Sequence, residues 1–490
     1  MQLVLALDAG TSGVRTVAFG PDLEVIEESY LELTQYYPSP GEVEHDPFEI
    51  AELAVATLRE VAVNVQREGH HVVALGVTNQ RETTVGFDRE RGDIFQHAIV
   101  WQDRRTASIC QEFESLGHGP RVREITGLVL DSYFSATKMK WMLERGLADG
   151  ARAPSFATID TWLIWLLSGG KEGGSFVTEA SNASRTLLLD LETLEWSNEM
   201  MSLFGIDSAM LAEIRSSAST FAQLSGAVVP ELSGVPITGV LGDQQSALFG
   251  QACFTPGLVK ATFGTGAFIL SNAGETIPTL VEGLLTTVAW DLGAFGPTNY
   301  ALEGSALVAG AAVQWLRDLG FIDASNDLEA LATSVDDSSG VQFVPAFTGL
   351  GSPFWRPDAR GAISGISRGV GKGHIARALV EALAYQVRAM TDAFRDGGIE
   401  LRELRCDGGA ATMDLLLQLQ ATNSRVDVLR SATLEATARG AASVAGLASD
   451  VWPSLDDLAE RWQSDRRFTP EDPRFVDAGY DSWSAALERL

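Results

Sequence analysis

Two periods of apolar and polar residues alternate along the chain. Short apolar runs closed by Gly, Asp or Pro predict buried strands at residues 3–7, 14–19, 25–33, 72–77, 235–241 and 258–263. Further runs predict strands at 286–289, 300–303, 341–345, 401–406 and 426–429. Between them lie stretches with helical spacing. The clearest starts at Asp46-Pro47-Phe48-Glu49, with Asp at the N-cap and Pro in the first turn, and continues with Ile50, Leu53, Ala54, Leu58, Val61 and Val65 on one face. Helices are also expected at 138–145, 159–167, 304–319, 375–394, 415–420 and 437–447, and roughly the last forty residues read as peripheral helices. The order strand, strand, strand, helix, strand at the start predicts an α/β layered architecture. A chain of 490 residues exceeds one ordinary core, so two domains are expected.

The tight turns at the strand ends carry the candidate chemistry. The run 235–241 ends in Gly242-Asp243-Gln244-Gln245, which presents a carboxylate and two amides, and the run 258–263 ends in Gly264-Thr265-Gly266, which presents small residues, a hydroxyl and backbone N–H groups. A carboxylate able to accept a hydroxyl proton, close in sequence to a cradle suited to phosphate, points to phosphoryl transfer. The first strand ends in Asp8-Ala9-Gly10-Thr11-Ser12-Gly13-Val14-Arg15, a hairpin whose tip can wrap phosphate with N–H and O–H donors. Asp8 can hold a magnesium ion through water, although an ordinary capped turn reads equally well from this stretch alone. Late in the chain, Asp407-Gly408-Gly409-Ala410-Ala411 joins a strand to a helix and leaves free N–H groups for a nucleotide phosphate or ribose.

Polar segments suggest the second substrate. Thr78-Asn79-Gln80-Arg81-Glu82-Thr83-Thr84 is a run of seven polar residues at a strand end. Arg81 beside Glu82 supplies the paired donors and acceptors that a small polyol needs; alone, the stretch would read as a solvated loop with a local ion pair. In Trp101-Gln102-Asp103-Arg104-Arg105, Trp101 can cover the carbon face of such a substrate, and Tyr133 is a further hydroxyl donor. Asn182-Ala183-Ser184-Arg185-Thr186 fits a structural role and a place near the site equally. A small-residue helix start from Gly304 through Ala311 would let a flat group approach or would serve tight helix packing.

Composition narrows the classes. A net charge of −29 argues against nucleic acid or an anionic membrane as a partner, so a polyphosphate must be held by local N–H groups, a few cations and a metal. Cys110, Cys253 and Cys406 are far apart, without metal-type spacing, which fits a reducing cytoplasm and small core residues. The chain opens on a strand pattern rather than a signal peptide, and no run of about 18 apolar residues predicts a membrane span. There is no G-x-x-x-x-G-K-[ST] loop, no H-E-x-x-H, and no G-x-G-x-x-G after the first strand.

Four separated pieces match one pattern: the hairpin at 8–15, Gly242-Asp243-Gln244-Gln245, Gly264-Thr265-Gly266 and Asp407-Gly408-Gly409. Together they resemble the FGGY carbohydrate kinases of the actin-like ATPase superfamily. The stretches 79–84, 101–106, 41–47, 160–165, 182–186 and 345–351 resemble the branch of that family that phosphorylates glycerol. The resemblance implies an α/β fold of two actin-like (ribonuclease H-like) domains with a central cleft, residues 1–248 binding the polyol and 249–490 the nucleotide. It implies phosphorylation of glycerol by ATP with Mg2+, Asp243 as general base, and Asp8 with Asp243 toward the metal. Glycerol contacts fall on Arg81, Glu82, Trp101, Tyr133, Asp243, Gln244 and Phe268; nucleotide contacts fall on Thr11, Ser12, Gly13, Arg15, Thr265, Gly310, Gln314, Gly409 and the position of Met413. A homo-oligomer, dimer or tetramer, is expected. The alternatives are a kinase for another polyol or sugar, or a nucleotide-binding sensor without kinase activity. This sequence departs from the family at Gly13, where a third hydroxyl is usual, at Met413, near which an Asn is usual, at Ala421-Thr422-Asn423, where Ala-Asp is usual, and at Arg439, where an apolar residue is usual. Residues 219–237 contain no Lys, Arg or His, so regulation by a sugar phosphate or a phosphorylated histidine at this loop is expected to be missing.

Overall fold

The computed structural model describes residues 1–356, 358–433 and 435–490. The first half builds a six-stranded sheet from β1 (Gln2–Ala9), β2 (Gly13–Phe19), β3 (Val25–Glu32), β4 (His71–Asn79), β5 (Ala218–Gln223) and β6 (Pro236–Gly242). The second builds a seven-stranded sheet from β7 (Leu258–Phe263), β8 (Ala267–Gly274), β9 (Leu285–Trp290), β10 (Asn299–Ala306), β11 (Glu403–Asp407), β12 (Asp427–Ser431) and β13 (Ser464–Phe468). The first sheet runs β5-β6-β4-β1-β2-β3 and the second β9-β10-β8-β7-β11-β12-β13.

The two sheets share a core. In the first, β2 is antiparallel to β1 and β3, while β4 runs parallel to β1 and β6 parallel to β4. In the second, β8 is antiparallel to β7 and β10, while β11 runs parallel to β7 and β12 parallel to β11. Each half therefore opens with a hairpin, and the tips of the two hairpins, at 10–12 and 264–266, are the two predicted phosphate turns. Parallel pairing requires crossovers, which helices supply. α1 (Pro47–Arg67) links β3 to β4, its Asp46 cap accepting the Phe48 N–H at 2.9 Å. The other helices that place the site are α2 (Ser135–Glu144), α3 (Asp243–Gly250), α4 (Gly310–Asp318), α5 (Lys372–Asp396), α6 (Asp414–Ser424) and α7 (Ala436–Ala448).

α3 and α7 tie the halves together. A Cβ on Gly440 of α7 would run into the Ser246 carbonyl of α3, and one on Gly250 of α3 into the Ala436 carbonyl of α7. The Ser246 hydroxyl donates to Thr437 O at 2.7 Å across the same contact. α7, late in the chain, also lies on the first sheet, where Gly76 faces Ala441 and Gly239 faces Ala445 with no room for side chains. α7 is rich in Gly and Ala, and at Gly440 its backbone nearly touches that of α3.

Two expectations are corrected. No helix begins at Gly304: β10 continues through Ala306, with Ser305 opposite Phe268 and Ala306 opposite Ala267, and α4 starts at Gly310. The small residues serve the strand, since a Cβ on Gly304 would meet the Met390 sulfur at 2.6 Å. The C-terminal stretch is not purely helical either, because β13 pairs antiparallel with β12 on the sheet edge.

Candidate active site

Asp243 stands at the first position of α3, straight after β6, and with the ends of β1 and β4 borders a cavity of about 270 Å³. Thr11, Ser12, Arg81, Glu82, Trp101, Tyr133, Asp243, Gln244, Thr265 and Phe268 all line it. Every residue expected to contact the polyol is therefore brought together, beside Thr11 and Ser12 of the first phosphate hairpin and Gly264, Thr265 and Gly266 of the second. Three rings form its apolar wall: Trp101 meets Tyr133 edge-on at 5.5 Å and Phe268 at 6.2 Å. The Trp101 indole N–H donates to Thr11 Oγ1 at 2.9 Å, which ties this wall to the hairpin.

Beneath the cavity lies a buried charge network that joins the two halves. Arg81 makes a bidentate pair with Glu303 of β10, at 2.6 and 2.9 Å. Arg185 donates to Glu82 at 2.7 Å and to Glu303 at 3.1 Å. All four side chains are at most 2% exposed. Burial raises the Glu82 carboxyl, with Arg185 and Arg81 opposing it. Burial also acts to raise Glu303, but the guanidiniums of Arg185 and Arg81 outweigh it and hold that carboxyl at about 2. The remaining face of Arg81 turns to the site, with Nε 3.2 Å from Asp243 Oδ1. Gln245 accepts from Arg81 at 3.1 Å and so belongs to the support.

A second line of hydrogen bonds fixes the Asp243 turn. The Gly242 N–H donates to Ser181 Oγ at 2.9 Å, and Ser181 in turn donates to Glu179. Glu179 also accepts from Asn182 N at 2.6 Å and Ser217 Oγ at 2.8 Å, and burial pushes its carboxyl up to about 7. Asn182 exchanges amide bonds with Asn79. The segment 182–186, which the sequence left open, is thus a supporting layer, with Arg185 part of the charge network beneath the cavity.

The second predicted group surrounds an adjoining cavity of about 780 Å³ lined by Thr265, Gly310, Gln314, Gly409 and Met413, together with Ser325, Asn326, Glu329 and Thr412. Thr265 borders both cavities. The Gly310 N–H bonds Gly264 O at 2.9 Å, and a Cβ there would meet the same oxygen at 2.6 Å, so glycine lets α4 start directly on the turn. Gly408 has φ 88°, with its absent Cβ facing Phe263 O, while open space lies over Gly409. Met413 is buried, and Asp414 beside it is engaged with Arg430 at 2.9 Å and with Arg466.

Asp8, Gly13 and Arg15 border neither cavity. Burial, the nearby Asp243 charge and Glu435 push the Asp8 carboxyl up to about 7. Arg15 is paired with Glu435, which follows β12 in the second half. The Gly13 departure has a steric reason: a Cβ would meet Leu31 O and the Tyr30 ring, each at 2.5 Å. Tyr30 instead donates to Ser12 O at 3.3 Å and stacks under the Arg15 guanidinium, 5.2 Å away.

Sequence reasoning missed Glu303, Lys260 and Glu435. Glu303 carried a signal, as the charged residue in a strand whose eight positions are all buried. Lys260 of β7 bonds Gln244 Oε1 and, at 3.2 Å, Thr262 Oγ1; burial lowers its ammonium to about 8 against the pull of Asp407 and Asp243.

Comparison with known proteins decides the family. The N-terminal domain profile of the FGGY family of carbohydrate kinases matches residues 3–250, and the C-terminal domain profile matches residues 259–449. This chain belongs to the FGGY family of carbohydrate kinases. Among curated relatives of this FGGY chain, a glycerol kinase of Acidovorax sp. is 49% identical over 486 residues, covering 97% of this chain and 96% of its own. A glycerol kinase of Geobacillus kaustophilus is 46% identical, covering 99% and 98%. The crystal structure of Plasmodium falciparum glycerol kinase with ADP superposes with a TM-score of 0.93 at 35% identity, covering 100% of this chain and 98% of that one. A gluconate kinase from Lactobacillus acidophilus shares the fold, with a TM-score of 0.89 at 19% identity. The FGGY chain therefore has the two-domain α/β fold of the actin-like type. Among its described residues no helix is long and apolar enough to cross a membrane.

Proposed function

We propose that this kinase transfers the γ-phosphoryl group of ATP to a terminal hydroxyl of glycerol, giving glycerol 3-phosphate and ADP. The observation that carries the reading is Asp243 on the floor of a small cavity that combines buried charge, an aromatic wall and both phosphate turns. Relatives named glycerol kinase along nearly the whole chain support the choice of substrate.

Glycerol is held with its carbons against Trp101 and Phe268 and its hydroxyls on Arg81, Glu82, Tyr133, Asp243 and Gln244. A primary alcohol is a poor nucleophile, so Asp243 accepts its proton as the oxygen–phosphorus bond forms and the bond from that phosphorus to ADP breaks. Gln244 cannot accept a proton in this way. Arg81, fixed by Glu303, keeps the Asp243 carboxylate oriented. Thr11, Ser12 and Thr265, which line the cavity, offer hydroxyl and N–H donors to the phosphates, with Gly13 and the Glu435-paired Arg15 behind them on the same hairpin. The base and ribose take the larger cavity beside Gly310, Gln314, Gly409 and Met413.

Among the described residues no group of three or more His, Cys, Asp or Glu forms a metal site of its own. Magnesium fits such a place, since it is bound by one or two carboxylates together with substrate phosphates. Asp8 and Asp243 would hold it; burial first, and then the charges of Asp243 and Glu435, raise the Asp8 carboxyl, and a bound cation would favour its ionised form. When bound, the ion neutralises charge on the transferring phosphoryl group.

We divide the domains near residue 248. Buried, unpaired Cys110, Cys253 and Cys406 and the need for ATP support a cytoplasmic setting. The test is Asp243→Asn assayed by coupled ADP release. Glycerol binding should persist while turnover falls about 10²–10⁴-fold; near-normal turnover would refute the assignment. A screen of the wild type against glycerol, dihydroxyacetone, xylulose and gluconate checks the substrate, and a preference for a sugar would favour the other branch of the family.

A further inference from the structure

Lys138 is a fully buried lysine on α2 that the reaction just described does not use. Its ammonium donates to two backbone carbonyls, Tyr133 O at 2.6 Å and Glu82 O at 3.2 Å, rather than to a carboxylate. A buried ammonium is costly, so its partners indicate what it is kept for. Both belong to residues proposed to hold the polyol, and they come from segments about fifty positions apart in the chain.

The backbone of Glu82 explains the need. It adopts a left-handed conformation with φ 63°, which non-glycine residues rarely accept and keep only where their surroundings enforce it. Its carbonyl oxygen receives three donors: Thr84 Oγ1 at 3.0 Å, Ser135 Oγ at 3.0 Å and Lys138 Nζ. Ser135 and Lys138 lie on one turn of α2, which follows directly from Tyr133 and Phe134. The helix start thus grips the Glu82 backbone and aims its carboxylate toward Arg185 and the cavity.

We propose that Lys138 is a positioning residue for the polyol site: with Ser135 it clamps the left-handed Glu82 backbone to Tyr133 and fixes the spacing of two substrate-binding side chains. The clamp touches neither the nucleotide cavity nor Asp243, so its effect falls on the polyol site rather than on the nucleotide. This rests on the proposed glycerol site, and the test separates the two.

The experiment measures KM for glycerol, KM for ATP, kcat and Tm for the wild type, Lys138→Met and Ser135→Ala. Lys138→Met should raise the glycerol KM about tenfold or more, the scale of releasing one constrained residue, and leave the ATP KM within about twofold. Ser135→Ala, which removes the second donor to the same oxygen, should shift the glycerol KM in the same direction by a smaller factor, and it decides the matter if Lys138→Met does not fold. Lys138→Arg, which keeps the charge and the donors, should recover part of the glycerol KM. A lower Tm with unchanged glycerol KM in the variants, or equal rises in both KM values, would overturn the clamp. A wild type that does not phosphorylate glycerol would instead overturn the functional reading beneath it.

Discussion

Glu303→Gln keeps the shape of the side chain and removes its charge. In the wild type two carboxylates and two guanidiniums balance beneath the cavity, each almost wholly out of water. The variant leaves the two guanidiniums to Glu82 and to Asp243, which stands at the cavity 3.2 Å from Arg81 Nε. It also turns an amide NH2 toward guanidinium donors, because a bidentate pair needs two acceptor oxygens. The magnitude follows from the carboxyl itself. Held at about 2 against an ordinary 4.5, it contributes about 3 kcal/mol at neutral pH. This agrees with the roughly 3–5 kcal/mol lost when one partner of a buried pair is removed.

A depressed carboxyl stabilises the fold fully above its unfolded value of about 4.5, and that contribution disappears as pH falls toward 2. Urea unfolding followed by tryptophan fluorescence should therefore show Glu303→Gln destabilised by about 3–5 kcal/mol at pH 7, with a narrower gap to wild type at pH 3.5. Glycerol KM should rise as well, because Arg81 loses the partner that aims it at Asp243. A loss under about 1 kcal/mol at pH 7, or a gap that does not change with pH, would refute the claim that Glu303 is an ionised keystone between the halves.

Two other perturbations test separate parts of the structure. His45 is buried and neutral, accepting from Gln80 Nε2 at 3.1 Å and donating to Gln35 at 2.8 Å; burial lowers its pKa to about 4. Its unfolded form takes up a proton near 6.5 and its folded form does not, so stability should fall by up to about 3 kcal/mol as pH drops from 6.5 to 4. Asp8 and Glu179, both raised to about 7, act in the opposite direction over this window, so the unfolding free energy of His45→Gln should be compared with wild type at each pH; parallel curves would refute the assignment. Gly440→Val forces a side chain into the Ser246 carbonyl and should cost about 3 kcal/mol or more in urea unfolding, with lower kcat in the soluble fraction; wild-type stability would show that α3 and α7 separate freely.

What the sequence revealed and what it hid have one physical cause. Phosphate turns are local. Gly266, Gly310 and Gly408 are glycines because a backbone oxygen occupies the place of each Cβ, and such turns leave a short readable pattern. The Asp46 cap and the face of α1 are local in the same way. Charge partners are not. Arg81 and Glu303 lie 222 positions apart and Arg15 meets Glu435 across the two halves, so no spacing rule joins them. Arg81 and Glu82 read as a neighbouring donor and acceptor for the polyol, or as a local ion pair, yet the two are 3.9 Å apart and Glu82 bonds Arg185 instead. The misread helix start at Gly304 has a related origin: small residues report only that something comes close, and in β10 it is the side chain of Met390. Tyr30 makes the same point from the other side. Gly13 looked like a lost hydroxyl, but the structure shows a ring in that space with its own hydrogen bond to Ser12 and its face to Arg15. Tyr30 of β3 therefore braces the hairpin at the position where a third hydroxyl is usual in the family.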